Sequence, residues 1–84
     1  MVKMRRVKSK NIRSIGYRPD PAECDLCGTM YIEFMARPGV IYFANGVPVE
    51  LWNGLLEKDV NKESVGSYFA KEIKPKYKFV VRPD

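Results

Sequence analysis

The stretch Ile41-Tyr42-Phe43-Ala44-Asn45-Gly46-Val47-Pro48-Val49-Glu50-Leu51-Trp52 constrains the chain more than any other. It reads as a buried strand, a turn on Asn45-Gly46 and a helix opening at Pro48. The fixed φ and missing N–H of proline suit the first helical position. A strand that passes so quickly into a helix must lay the helix on the sheet it came from, so the class is α+β.

The neighbouring segments supply the rest of that sheet. Thr29 to Met35 alternates, with Met30, Ile32 and Phe34 on one face and Thr29, Tyr31, Glu33 and Met35 on the other, the period of a strand. Ala36-Arg37-Pro38-Gly39 is a turn, and Val40 to Ala44 returns to complete a hairpin. Upstream, Ile12 and Ile15 stand three apart, which breaks strict alternation and predicts an irregular entry into a short strand through Tyr17. The Pro-, Asp- and Gly-rich run Arg18 to Gly28 reads as a long connection.

Two helices follow. Val49, Trp52 and Leu56, widened by Leu51 and Leu55, form the apolar stripe of the first. Gly54 within it predicts a close packing contact, since glycine there weakens a helix by about 1 kcal/mol relative to alanine. Lys58 to Glu63 is a charged link. Ser64 is placed to cap a second helix with the stripe Val65, Phe69 and Ile73, which runs through Lys74 until Pro75 stops it. Tyr77 to Val81 alternates and predicts an edge strand ended by Pro83. The predicted fold is a three-stranded antiparallel β-meander packed against two short α-helices, with an extra C-terminal edge strand.

At 84 residues the chain has room for one domain, 1–84. A domain this small buries only about 60% of its unfolded surface, so its core is small. No apolar run reaches the roughly 20 residues of a spanning helix, and the basic start lacks the apolar core of a signal peptide. No membrane association and a cytoplasmic location are therefore expected, as a monomer or small homo-oligomer.

Charge is unevenly distributed. Residues 1–18 carry Lys3, Arg5, Arg6, Lys8, Lys10, Arg13 and Arg18 and no acid, with residues 1–6 read as a flexible basic arm. The middle of the chain is acidic, and the last residues are basic again through Lys71, Lys74, Lys76, Lys78 and Arg82. If the two ends meet, their fields add into a patch for phosphates or an acidic protein surface. The candidate nucleic-acid-binding residues are Arg5, Arg6, Arg13, Lys71, Lys74, Lys76 and Lys78, with Tyr68 and Tyr77 as stacking faces. The bland alternatives are solvated charged faces and tyrosines half-buried in the core.

Reaction chemistry has little to stand on. With no histidine, neither a Ser-His nor a Cys-His pair can form, and no Gly-rich phosphate loop is present, so an enzyme is not expected. Cys24-Asp25-Leu26-Cys27 spaces two sulfurs to face one metal ion or each other. Three states are open: reduced structural thiols, a disulfide, or half of a four-cysteine zinc site shared across a dimer. No cofactor is expected within one chain, because zinc needs four ligands.

The ordered motifs Lys8-Ser9-Lys10-Asn11-Ile12-Arg13-Ser14-Ile15-Gly16-Tyr17, Tyr31-Ile32-Glu33-Phe34, Tyr42 with Gly46-Val47-Pro48, and Ser64-Val65-Gly66-Ser67-Tyr68-Phe69 with Ile73 resemble the KTSC domain over about residues 8–78. That domain takes its name from the C-terminus of some lysyl-tRNA synthetases and also occurs as small stand-alone proteins of bacteria and phages. Through the synthetase association the resemblance implies RNA as a partner, which with the absence of reaction chemistry makes a non-catalytic module that binds RNA or another polyanion the expectation; a small protein-interaction or phage accessory or inhibitory factor that binds a host protein is the alternative. Ala44 stands where the family's central Tyr-x-Tyr carries its second tyrosine. The Cys-bearing loop replaces the family's short turn.

Overall fold

The structure is a computed structural model and describes residues 3–20 and 25–82. Five antiparallel strands form one sheet in sequence order: β1 (Arg5–Arg6), β2 (Ile12–Pro19), β3 (Cys27–Phe34), β4 (Ile41–Pro48) and β5 (Val80–Val81). Helix α1 (Val49–Val60) follows β4 directly, and α2 (Val65–Tyr68) continues into a π-helical turn, Phe69–Ile73. The expected three-stranded meander is β2 to β4. The sheet nevertheless has five strands, because the two-residue segments β1 and β5 pair along its outer edges.

Register divides the residues between two faces. Ile15, Ile32, Tyr42 and Val81 lie opposite one another in successive strands, as do Tyr17, Met30 and Ala44. This face lies under the helices. Ile15, Ile32, Met30 and Val47 are fully buried there, together with Leu55 of α1 and with Val65, Phe69 and Ile73 of the second helical segment.

The irregular spacing of Ile12 and Ile15 is a bulge. Ile12 pairs with Phe34 and Ser14 with Glu33, so Arg13 is the extra residue and both isoleucines reach the core.

Two expectations around β4 are corrected. Asn45-Gly46 is not a turn, because the strand runs on through it to Pro48. Gly28 pairs with Val47 and Met30 with Ala44, which leaves Asn45 and Gly46 opposite the single residue Thr29. Gly46 takes a φ of 69°, so the same positive φ that suits a turn is used in a bulge. Pro48 is consequently the N-cap in extended conformation rather than the first helical residue, which is Val49. The connection after Tyr17 is also shorter than expected, because Arg18 and Pro19 stay paired with Thr29 and Gly28.

The helices follow their sequence signals closely. Ser64 Oγ accepts from the Ser67 N–H at 3.1 Å and caps α2. A Cβ placed on Gly54 would collide with the Tyr68 phenol, so this glycine lets the two helical segments touch. Helix α1 ends with Glu63 N–H donating to the Lys58 carbonyl at 2.8 Å and Lys62 N–H to that of Asp59 at 3.1 Å. Lys62 sits at the left-handed position of this Schellman ending, with φ 58°, where glycine is usual. The Lys74 N–H reaches back to the Phe69 carbonyl at 2.9 Å, the wider closure of a π turn.

Candidate functional site

Two surfaces gather cationic side chains, and each arises from a different structural cause. The first is a groove between the arm and the second helical segment. Asp59 draws the arm onto α1: its carboxylate accepts from Arg5 at 3.1 Å and from the Lys8 backbone N–H at 3.4 Å. Ser9 Oγ then accepts from the backbone N–H groups of Asn11 and Ile12, both at 3.3 Å, which turns the chain into β2. A Cβ on Gly66 would lie 3.2 Å from Ser9 Oγ, so the glycine admits the arm. The resulting groove encloses about 550 Å³, with Lys8, Ser9 and Lys10 on one wall and Lys62, Ser64 and Ser67 on the other. Its carboxylate, Glu63, lies 3.5 Å from Lys58 Nζ. A smaller adjoining cavity brings Lys74 beside Asn11.

The second surface is the helix-free face of the sheet. Arg6, Ser14, Glu33 and Ile41 lie across it in one row, with Gly16, Tyr31, Phe43 and Val80 in the next and Arg18 beside Thr29 in a third. Glu33 accepts from Ser14 Oγ at 2.6 Å and from the Gly39 N–H at 2.8 Å, and lies 3.6 Å from Arg13. These hydrogen bonds, and after them the charges of Arg13 and Arg6, hold its carboxyl below the ordinary carboxylate range. Among the described residues, Arg6, Arg18 and Arg82 form no ion pair. Arg82 lies over the Tyr31 ring at 6.0 Å, and Tyr31 contacts Phe43 with ring centroids 6.3 Å apart.

The residues singled out in the sequence are dispersed over these surfaces. Arg5 is tied to Asp59, Arg6 and Arg13 belong to the helix-free face, and Lys74 borders the cavity next to the groove. Lys71 lines a separate cavity beside Lys58 and Tyr68, and Lys76 and Lys78 are exposed beyond the π turn. Tyr68 and Tyr77 are half-buried against the core, and burial raises the pKa of the Tyr68 phenol. Tyr17 stacks on Trp52 at 5.6 Å and donates to the Val47 carbonyl at 2.7 Å. Tyr42 and Ala44 share the helix-covered face, where Ala44 belongs to the core and Tyr42 meets the Phe34 ring edge-on at 5.4 Å. Lys62 and Phe43 carry no sequence signal of their own, and Arg18 and Arg82 stand out in the sequence only as members of the basic ends. Alternation around Tyr31 marked its face, but only cross-strand register assigns Arg18 and Phe43 to it.

Cys27 opens β3 and is disulfide-bonded; Cys24 lies outside the described residues. Among the described residues no three Cys, Asp or Glu side chains converge as a metal-ligand group. No helix among them is long and apolar enough to cross a membrane.

A five-stranded antiparallel meander with both helical segments on one face defines the class: a small two-layer α+β domain. The KTSC domain family model matches residues 8–77, and the chain belongs to that family. The crystal structure of a KTSC domain protein from Yersinia pestis superposes with a TM-score of 0.74 at 25% identity, covering 99% of this chain and 100% of that one. No curated protein matches. The segments Lys8–Asn11 and Ser64–Phe69, which carried the family resemblance, meet in space at the groove.

Proposed function

We propose that this protein is a non-catalytic module that binds RNA or another polyanion, with the groove between arm and second helical segment as its phosphate site. One observation supports the reading above all others: Lys8, Lys10 and Lys62 line one groove with the hydroxyls of Ser9, Ser64 and Ser67, and among the described residues Glu63 is its single carboxylate. Such a groove attracts phosphate without regard to base sequence, and its binding energy comes largely from released counterions.

Affinity for a single-stranded RNA is expected to fall steeply as salt rises from 50 to 200 mM. Removing three phosphate contacts with Lys8→Ala, Lys10→Ala and Lys62→Ala should flatten the log–log salt slope by roughly 2, at about 0.7 per contact on a single strand. Absence of binding at low salt to both RNA and DNA, measured by fluorescence anisotropy, sinks the reading.

A further inference from the structure

We infer that the helix-free face of the sheet is a platform for single-stranded nucleic acid, distinct from the lysine groove and selective for unpaired bases. The inference rests on the polyanion reading and narrows it from phosphate attraction to a strand with accessible bases.

Antiparallel sheets can leave one face to solvent, and such a face is ordinarily polar. This one combines cations with aromatic rings. Arg6 lies at the β1 edge, Arg18 is near the β2–β3 turn, and Arg82 follows β5. All three are exposed and, among the described residues, without ion pairs, while the carboxylate of the face, Glu33, is already engaged by Ser14, Gly39 and Arg13. The charge complement of this surface is therefore an anion. Five strands at ~4.8 Å spacing make it roughly 19 Å across, so its cations suit an extended chain of phosphates better than a single small ion.

The rings give this surface a second kind of contact. Arg18, Tyr31, Phe43, Asn45 and Arg82 border a shallow cavity of about 160 Å³. Tyr31 forms its floor at 8% exposure, and the Arg82 guanidinium lies over that ring. A base can stack on the guanidinium, extending the tyrosine–arginine pair by one layer. Thr29 Oγ1 donates to Asn45 Oδ1 at 2.9 Å, which fixes the amide oxygen of the exposed Asn45 on threonine and leaves its N–H2 as the end that can donate to a base edge. Duplex nucleic acid keeps its base faces stacked inside and presents only base edges, sugar and phosphate, so it has no ring face to lay on the guanidinium.

The test uses the full chain at low salt with a 12-nucleotide RNA, the same sequence in DNA, and the duplex of each, followed by fluorescence anisotropy and by backbone amide shifts. Single strands should bind at least about tenfold tighter than duplexes. Arg18→Ala with Arg82→Ala should lose about tenfold in single-strand affinity and little in duplex affinity, and shifts should centre on Gly16, Tyr31, Phe43 and Asn45. The groove variant K8A/K10A should weaken both forms alike. Equal or tighter duplex binding, or shifts confined to Ser9, Gly66 and Ser67, overturns the platform while leaving the polyanion reading intact. No binding by any probe overturns both.

Discussion

The two faces of the sheet are built from alternate residues of the same strands, yet they are put to opposite uses. Ile32 is fully buried between Ile15 and Tyr42 under the helices, whereas its neighbours Tyr31 and Glu33 face away, among arginines. The covered face removes apolar surface from water and so carries most of the stability. The uncovered face keeps its charges solvated and available. Its exposed side chains, such as Arg6, Arg18 and Arg82, can therefore change without touching the core, whereas Ser14, Thr29 and Tyr31 on the same face are buried and cannot.

The largest expected effect tests this division directly. Ile32→Ala should cost about 2–5 kcal/mol through lost burial and the cavity left behind. Arg18→Ala, on the other face and exposed, should change stability by no more than about 0.5 kcal/mol. Denaturant titration of both variants compares the faces; similar losses would remove the distinction.

Within the helical layer, Gly54→Ala is the next test. Helix propensity alone favours alanine by about 1 kcal/mol, but the new methyl meets the Tyr68 phenol. A net loss of about 1–3 kcal/mol is expected. Tyr68→Phe in the same chain should recover part of it, because the hydroxyl is the nearest atom. A stabilised single variant would show that the two helical segments are packed more loosely than their geometry indicates.

Glu33 sharpens the contrast at its smallest scale, since it is a polar group of the uncovered face that does contribute to folding. Hydrogen bonds from Ser14 and Gly39, followed by Arg13 and Arg6, lower its pKa from 4.5. Its stabilisation is thus complete above about pH 4.5 and is lost as pH falls through the lowered native value. Thermal melts from pH 6 to pH 2 should show a shallower acid loss in Glu33→Gln than in the wild type. Identical slopes would assign the acid response to other carboxylates.

Much of the architecture could be read from local signals. The alternation of Thr29–Met35 marks a strand with an inside and an outside, and the Val65, Phe69, Ile73 stripe is buried as its spacing requires. Ser64 caps where its side chain predicts, and Gly54 marks a close contact. In each case the deciding interaction lies within a few residues or follows from apolar periodicity. The site was less legible. The basic ends were visible as charge, but nothing local shows that Ser9 would lie against Gly66, or that Arg82 would cover Tyr31.

The sequence by itself determined the order of elements, the buried side of each and the positions able to take unusual backbone conformations. Tertiary structure decided how those capacities were used. Asn45-Gly46 satisfies a turn and a bulge equally well in local terms, and only pairing with β3 selects the bulge that carries β4 on to Pro48. The edge strands β1 and β5 are too short to specify themselves and exist because a neighbouring strand offers partners. Both candidate surfaces have the same origin: they join residues far apart in the chain, whose proximity depends on register and helix packing rather than on any preference of the segments alone.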